Sequence, residues 1–238
     1  MKSLFRSPLA IALLAGAAVV AAAAALPLWH LLAGAPPPPV AEGLPWQVQR
    51  DGDSVRVFGL QLPGSTLADA QRQWGDGLQV AVMAQRGEPG ALEAYVERYE
   101  RAGIGGRLVL ATALAPAQVQ QLQLQAAKSA QVDADTARWW PRAEDIAATA
   151  GTPVVGITFI AAVQLDAATV LQRFGPPAER LQQGARLQHW LYPERGLAIV
   201  LDAEGREVLQ FAAPADFEAR LRAPLLKAGA VPAAGPPG

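Results

Sequence analysis

The 238 residues contain two histidines and no cysteine, and that scarcity decides most of the chemistry open to the chain. His189 is the only histidine beyond an apolar amino-terminal run. A nucleophile needs an activating base beside it, and Ser54, Ser65 and Ser129, the serines of the same region, lie in no G-x-S-x-G turn. One imidazole without a thiolate cannot close a zinc site. The pairs Asp51/Asp53 and Asp133/Asp135 lack the ligand series of a calcium loop and read as solvated turns. The GIGG run from Gly103 to Gly106 has no following Lys-Ser/Thr, so a hairpin turn is favoured over a phosphate cradle. Glu144 and Asp145 open a helix, where acids suit the dipole. Neither a catalytic set, a metal site nor a cofactor is expected.

The aromatic residues are better candidates. In LQHWLY (187–192), strand alternation places Leu187, His189 and Leu191 on one face and Trp190 and Tyr192 on the other. A one-sided sheet cannot bury both faces, and rings of this kind dominate binding hot spots. Trp190 and Tyr192 are therefore expected to contact a partner, the competing reading being that helices cover them. Trp139 and Trp140 in RWWP, pointing oppositely if extended, carry the same pair of readings.

The elements that must hold these residues are short. Trp46/Val48 and Val55/Val57 flank a turn at Asp51–Asp53 as in a half-buried hairpin. Ser65 or Thr66 caps a helix carrying Leu67, Ala70 and Trp74, which Gly75 stops. Strands are expected over 78–84, 92–99 and 107–112, and a glutamine-rich helix from Pro116. A β-branched strand follows from Thr152 to Gln164, then a helix capped by Asp166 and closed by Gly175. Three strands (RLQHWLYP, GLAIVLD, REVLQF) and a last helix from Pro214 complete the chain. Shifting one half by 100 residues superimposes Gln73-Trp74-Gly75 on Arg173-Phe174-Gly175. The expectation is an α+β fold with antiparallel sheet and helices packed on one face, in two tandem helix-plus-three/four-strand repeats over 44–130 and 131–227.

The ends place the chain. Residues 1–8 carry Lys2 and Arg6, and from Leu9 to Leu26 no side chain is polar, with apolar character continuing to Leu32. About 20 such residues span hydrocarbon as a helix, and the preceding cations leave Met1 in the cytoplasm. Residues 9–32 thus read as a transmembrane anchor in the lipid bilayer, against the competing reading of a cleaved signal with AGA before Pro36. Either reading exports the remainder. Four prolines in 33–43 favour a stiff spacer, and 228–238 has little to bury and reads as a disordered tail. Without Lys2 and Arg6, 18 of the 20 basic residues remain against 21 acidic ones, in no basic run, so nucleic acid is not an expected partner.

Residues 165–211, LDAATVLQRFGPPAERLQQGARLQHWLYPERGLAIVLDAEGREVLQF, resemble the repeat of the SmpA/OmlA-type small lipoproteins of outer-membrane barrel assembly, which occurs in tandem in the β-lactamase inhibitor protein fold. Phe174, Gly175, Pro177, Trp190, Tyr192 and Gly205 occupy the repeat's helix-ending corner, aromatic-x-Tyr strand and glycine turn. The resemblance covers roughly 160–212 and, faintly, 58–112. It implies a structural corner at Phe174, Gly175, Pro176 and Pro177. Gly175 can end the helix and Pro176 cannot continue it. This chain lacks the family's lipid-bearing cysteine, which favours the inner membrane over the outer. It is also similar to anchored proteobacterial envelope proteins. The leading functional expectation is a single-pass, non-catalytic periplasmic module that binds an envelope protein. The alternative from another class is a carboxylate-dependent envelope hydrolase or lyase, or a glycan binder. A third reading is an accessory that only sets spacing.

Overall fold

Gly52, with φ at 57°, makes the first reversal, and a positive φ is a conformation glycine adopts freely. It joins β1 (Gln49–Asp51) to β2 (Ser54–Val57), which pairs with β3 (Leu60–Leu62) in a small three-stranded sheet. The structure, a computed structural model, describes residues 46–233. The expected anchor, spacer and last five residues of the tail lie outside the described residues. Among the described residues no helix is long and apolar enough to cross a membrane.

Helix α1 (Leu67–Trp74) is capped by Thr66, whose hydroxyl accepts from the Asp69 amide while the Asp69 carboxylate accepts from Thr66. Strands β4 (Gln79–Gln85), β5 (Ala91–Arg101) and β6 (Ile104–Thr112) form an antiparallel meander, followed by α2 (Pro116–Leu124). β7 (Lys128–Gln131) and β8 (Thr136–Trp140) form a hairpin, α3 (Ala143–Ala148) leads into β9 (Val154–Ala161), and α4 (Ala167–Phe174) is capped by Asp166. β10 (Glu179–Gln183), β11 (Leu187–Tyr192), β12 (Leu197–Asp202) and β13 (Val208–Ala212) follow as a second meander. The chain then passes through a helical segment, 3-10 at Pro214–Asp216, π at Glu218–Arg222 and α5 at Ala223–Lys227, to β14 (Val231–Pro232). Helices α1 and α4 stand 100 residues apart, each ending at a positive-φ glycine, Gly75 and Gly175, and each followed by antiparallel strands.

Eleven strands make one sheet in the order β14-β10-β11-β12-β13-β9-β6-β5-β4-β8-β7. The described residues, 46–233, fall in one compact unit, and the anticipated boundary at 130/131 falls inside β7. On the front face, Val82, Leu92, Leu108, Leu110, Phe159, Ile199 and Phe211 share a core with Leu67 and Ala70 of α1, Val170 and Phe174 of α4, and Val57 and Leu60 of the small sheet. Each such side chain, fully buried, contributes roughly 1.5–3 kcal/mol. Gly106 is where this core comes closest to the backbone. A Cβ there would stand 2.4 Å from the Phe159 ring and 2.5 Å from the Ile160 carbonyl. The GIGG run is therefore only partly a turn. Gly103 turns with φ at 75°, while Gly105 and Gly106 belong to β6.

The back face corrects the expectation of helices on one side only. Phe217 and Leu221 of the carboxy-terminal segment pack there against Leu181, Leu191, Ala198 and Ala212. The segment offers its own apolar stripe, so β10–β13 are buried from both sides. The tail is corrected too. Over 228–233, Ala230 is buried and β14 pairs with β10.

Candidate functional site

Trp190 and Tyr192 are not at a surface. They are 2% and 5% exposed, on the front core, while His189 and Leu191 behind them are buried towards the carboxy-terminal segment. Alternation assigned the two faces correctly, but the assumption of a one-sided sheet fails because both faces are covered. The Arg180 guanidinium lies 4.5 Å from the Trp190 ring centre, and burial pushes the Tyr192 phenol up to about 12 despite nearby Arg195.

The corner predicted from the sequence is structural. The Tyr192 hydroxyl donates to the Gly175 carbonyl at 3.0 Å and Arg195 donates to the Phe174 carbonyl at 2.8 Å. The last carbonyls of α4 thus find partners that the helix cannot supply. Phe174 and Pro177 turn inward, and Pro176 is exposed.

Trp139 and Trp140 diverge as their positions in β8 require. Trp139 is half-buried and packs against the front core. Trp140 stands on the back face, where the apolar cluster beneath the carboxy-terminal segment reaches only β10–β13. Of the four aromatic candidates, Trp140 alone, half-buried on that face, belongs to neither apolar cluster.

Register gathers a group around it. β8 lies between β4 and β7, placing Arg138 opposite both Met83 and Ala130, and Lys128 opposite Trp140. The Lys128 ammonium is 4.4 Å from the Trp140 ring centre, and the Arg138 guanidinium is 5.6 Å from it and 4.8 Å from the Tyr95 centre. Arg138 also donates to the Tyr95 hydroxyl at 3.2 Å and to the Met83 sulfur at 3.3 Å. Tyr95 is only 4% exposed, with the Arg138 guanidinium over its ring. Burial raises the Glu93 carboxyl above its ordinary range, with the Arg138 charge pulling it back. The result is a rigid, cation-bearing aromatic platform, with Lys128 at its rim.

Lys128, Arg138 and Tyr95 escaped the sequence reading because it considered RWWP without a partner strand. The signal was present in the turn between β7 and β8. Asp133 accepts from the amides of Asp135 and Thr136, and that reversal pairs KSAQ with TARWW.

The acids do other work. Asp69 and Asp166 cap helices, Asp145 pairs with Arg142, Asp202 with Arg186, and buried Glu207 accepts from the Leu165 amide at 2.8 Å. A cleft of about 360 Å³ between α2 and α3 is lined by Gln118, Gln121, Gln125, Thr149 and Thr152, with Asp145 held by Arg142 at its side. These groups can hydrogen-bond a ligand but supply no nucleophile with a base.

No family model, curated protein or solved structure matches the chain.

Proposed function

We propose that this protein is a non-catalytic module, anchored in the inner membrane by residues 9–32, that binds another envelope protein in the periplasm through the back of its sheet. The observation that carries this reading is the Lys128–Trp140–Arg138–Tyr95 platform, held on the back face outside the apolar cluster beneath the carboxy-terminal segment. Tryptophan, tyrosine and arginine are the residues on which binding energy concentrates. The platform is already organised by hydrogen bonds, so little side-chain freedom is lost on docking. The recurrence of helix and meander at 100 residues supports tandem SmpA/OmlA-like repeats, and the employment of the acids in caps and ion pairs supports a role without catalysis.

The test is photo-crosslinking in cells from position 140, with position 190 as the buried control. A single envelope protein captured from 140, not from 190, and lost on Arg138→Ala is the expected result. Turnover of a wall or lipid substrate by the purified protein, abolished by one carboxylate substitution, would replace this reading with an enzymatic one.

A further inference from the structure

The two edges of the eleven-stranded sheet are finished differently. At one, the two-residue β14 pairs with Leu181 and Gln182 of β10 and places Pro232 there, a residue with no amide to offer. At the other, β7 has β8 as its single neighbour and all four of its residues are exposed.

Hydrogen-bond parity shows what this second edge presents. The Val132 amide donates to the Thr136 carbonyl at 2.8 Å, so the even residues of β7 turn their backbone groups towards β8. On the far side of β8, the Arg86 amide donates to the Asp135 carbonyl at 2.7 Å, which fixes the same alternation independently. Ser129 and Gln131 therefore direct their N–H and C=O groups away from the sheet. Exposed Leu124 (82%) and Val132 (50%) stand on either side of the strand.

We propose that β7 is a docking edge that accepts an extended, acid-bearing segment of the partner protein as a twelfth strand. This rests on the protein-binding reading and names its mode. Ser129 and Gln131 supply main-chain hydrogen bonds to the added strand. Lys128 and Ala130 then fall in non-hydrogen-bonded pairs with it, where side chains approach most closely. On that back face the partner's side chains meet Lys128 directly beside Ala130, whereas the Arg138 guanidinium is turned the other way, towards Met83 and Tyr95. The Lys128 ammonium there selects a carboxylate. Apolar side chains on the partner's other face lie on the Trp139 side of the strand.

The probe is an alternating valine–glutamate octapeptide, titrated against the full chain in detergent with Trp fluorescence as readout. Expected are saturable binding, at least a tenfold loss when alternate peptide amides are N-methylated, a similar loss with Ser129→Pro/Gln131→Pro, and preference for a valine–lysine peptide with Lys128→Glu. N-methylation leaves the protein untouched, so it decides the matter even where the proline variant does not fold. Absence of binding at millimolar peptide, or binding indifferent to N-methylation, overturns strand addition. If position 140 still captures its partner in that event, the protein-binding reading stands and only the edge is excluded.

Discussion

The hydroxyl of Tyr192 reaches 17 residues back along the chain to the carbonyl of Gly175, 3.0 Å away, and fastens β11 to the end of α4. Tyr192→Phe removes this bond and strands a carbonyl, which costs about 1–2 kcal/mol, read as a lower denaturation midpoint with an unchanged fold. Because the phenol is raised to about 12 in the folded state against 10.0 ordinarily, its contribution is complete below pH 10 and declines as pH rises from there towards 12. The wild-type midpoint should fall in that window more steeply than that of the phenylalanine variant.

Gly106 and Gly103 separate packing from backbone strain. Gly106→Ala drives a methyl into the Phe159 ring and the Ile160 carbonyl, an overpacking expected to cost about 1–3 kcal/mol. Gly103→Ala meets nothing within 4 Å and suffers only from its φ of 75°, about 1 kcal/mol. Measured against Phe159→Leu alone, Gly106→Ala should cost less than it does in the wild-type chain, while the cost of Gly103→Ala should be the same in both backgrounds, as read by urea unfolding.

Trp190→Ala opens a cavity in the core and should cost about 3–5 kcal/mol. Trp140→Ala, outside both apolar clusters, should cost about 1 kcal/mol or less while abolishing capture of the partner. Equal stability losses for the two would place Trp140 in the core after all.

His189 provides a pH test. Gln183 donates through its amide nitrogen to the Ala228 carbonyl at 3.0 Å, so its oxygen faces His189 Nε2 at 2.9 Å and that nitrogen carries the proton. Nδ1 is buried without a partner, and desolvation lowers the pKa below 6.5. Stability from the neutral ring is therefore complete above pH 6.5 and lost as pH falls through the depressed value. His189→Gln should flatten this part of the pH–stability curve, with midpoints from pH 5 to 8 as the measurement.

The sequence disclosed the elements that bury a regular pattern and concealed those that do not. Helices α1 and α4 carried cap, apolar stripe and glycine stop, and β9 and β12 were dense in branched residues. β7, with KSAQ, buries nothing, and β10, with ERLQQ, buries only Leu181, so neither has an alternation to detect. Trp190 and Trp140 differ by what lies over them. The covering of Trp190 comes from the front elements, and that of its strand's reverse side from Phe217 and Leu221, more than 25 residues onward. Alternation says which way a ring points and nothing about what it meets there.

β9 is the keystone of the sheet. Each meander closes through short local connections, but β9 lies between β13, whose first residue comes 47 positions after its last, and β6, whose last residue precedes its first by 42. Its seating therefore depends on two slow, long-range closures, and on nothing local. Phe159, wholly buried at its centre, carries the front core across that seam.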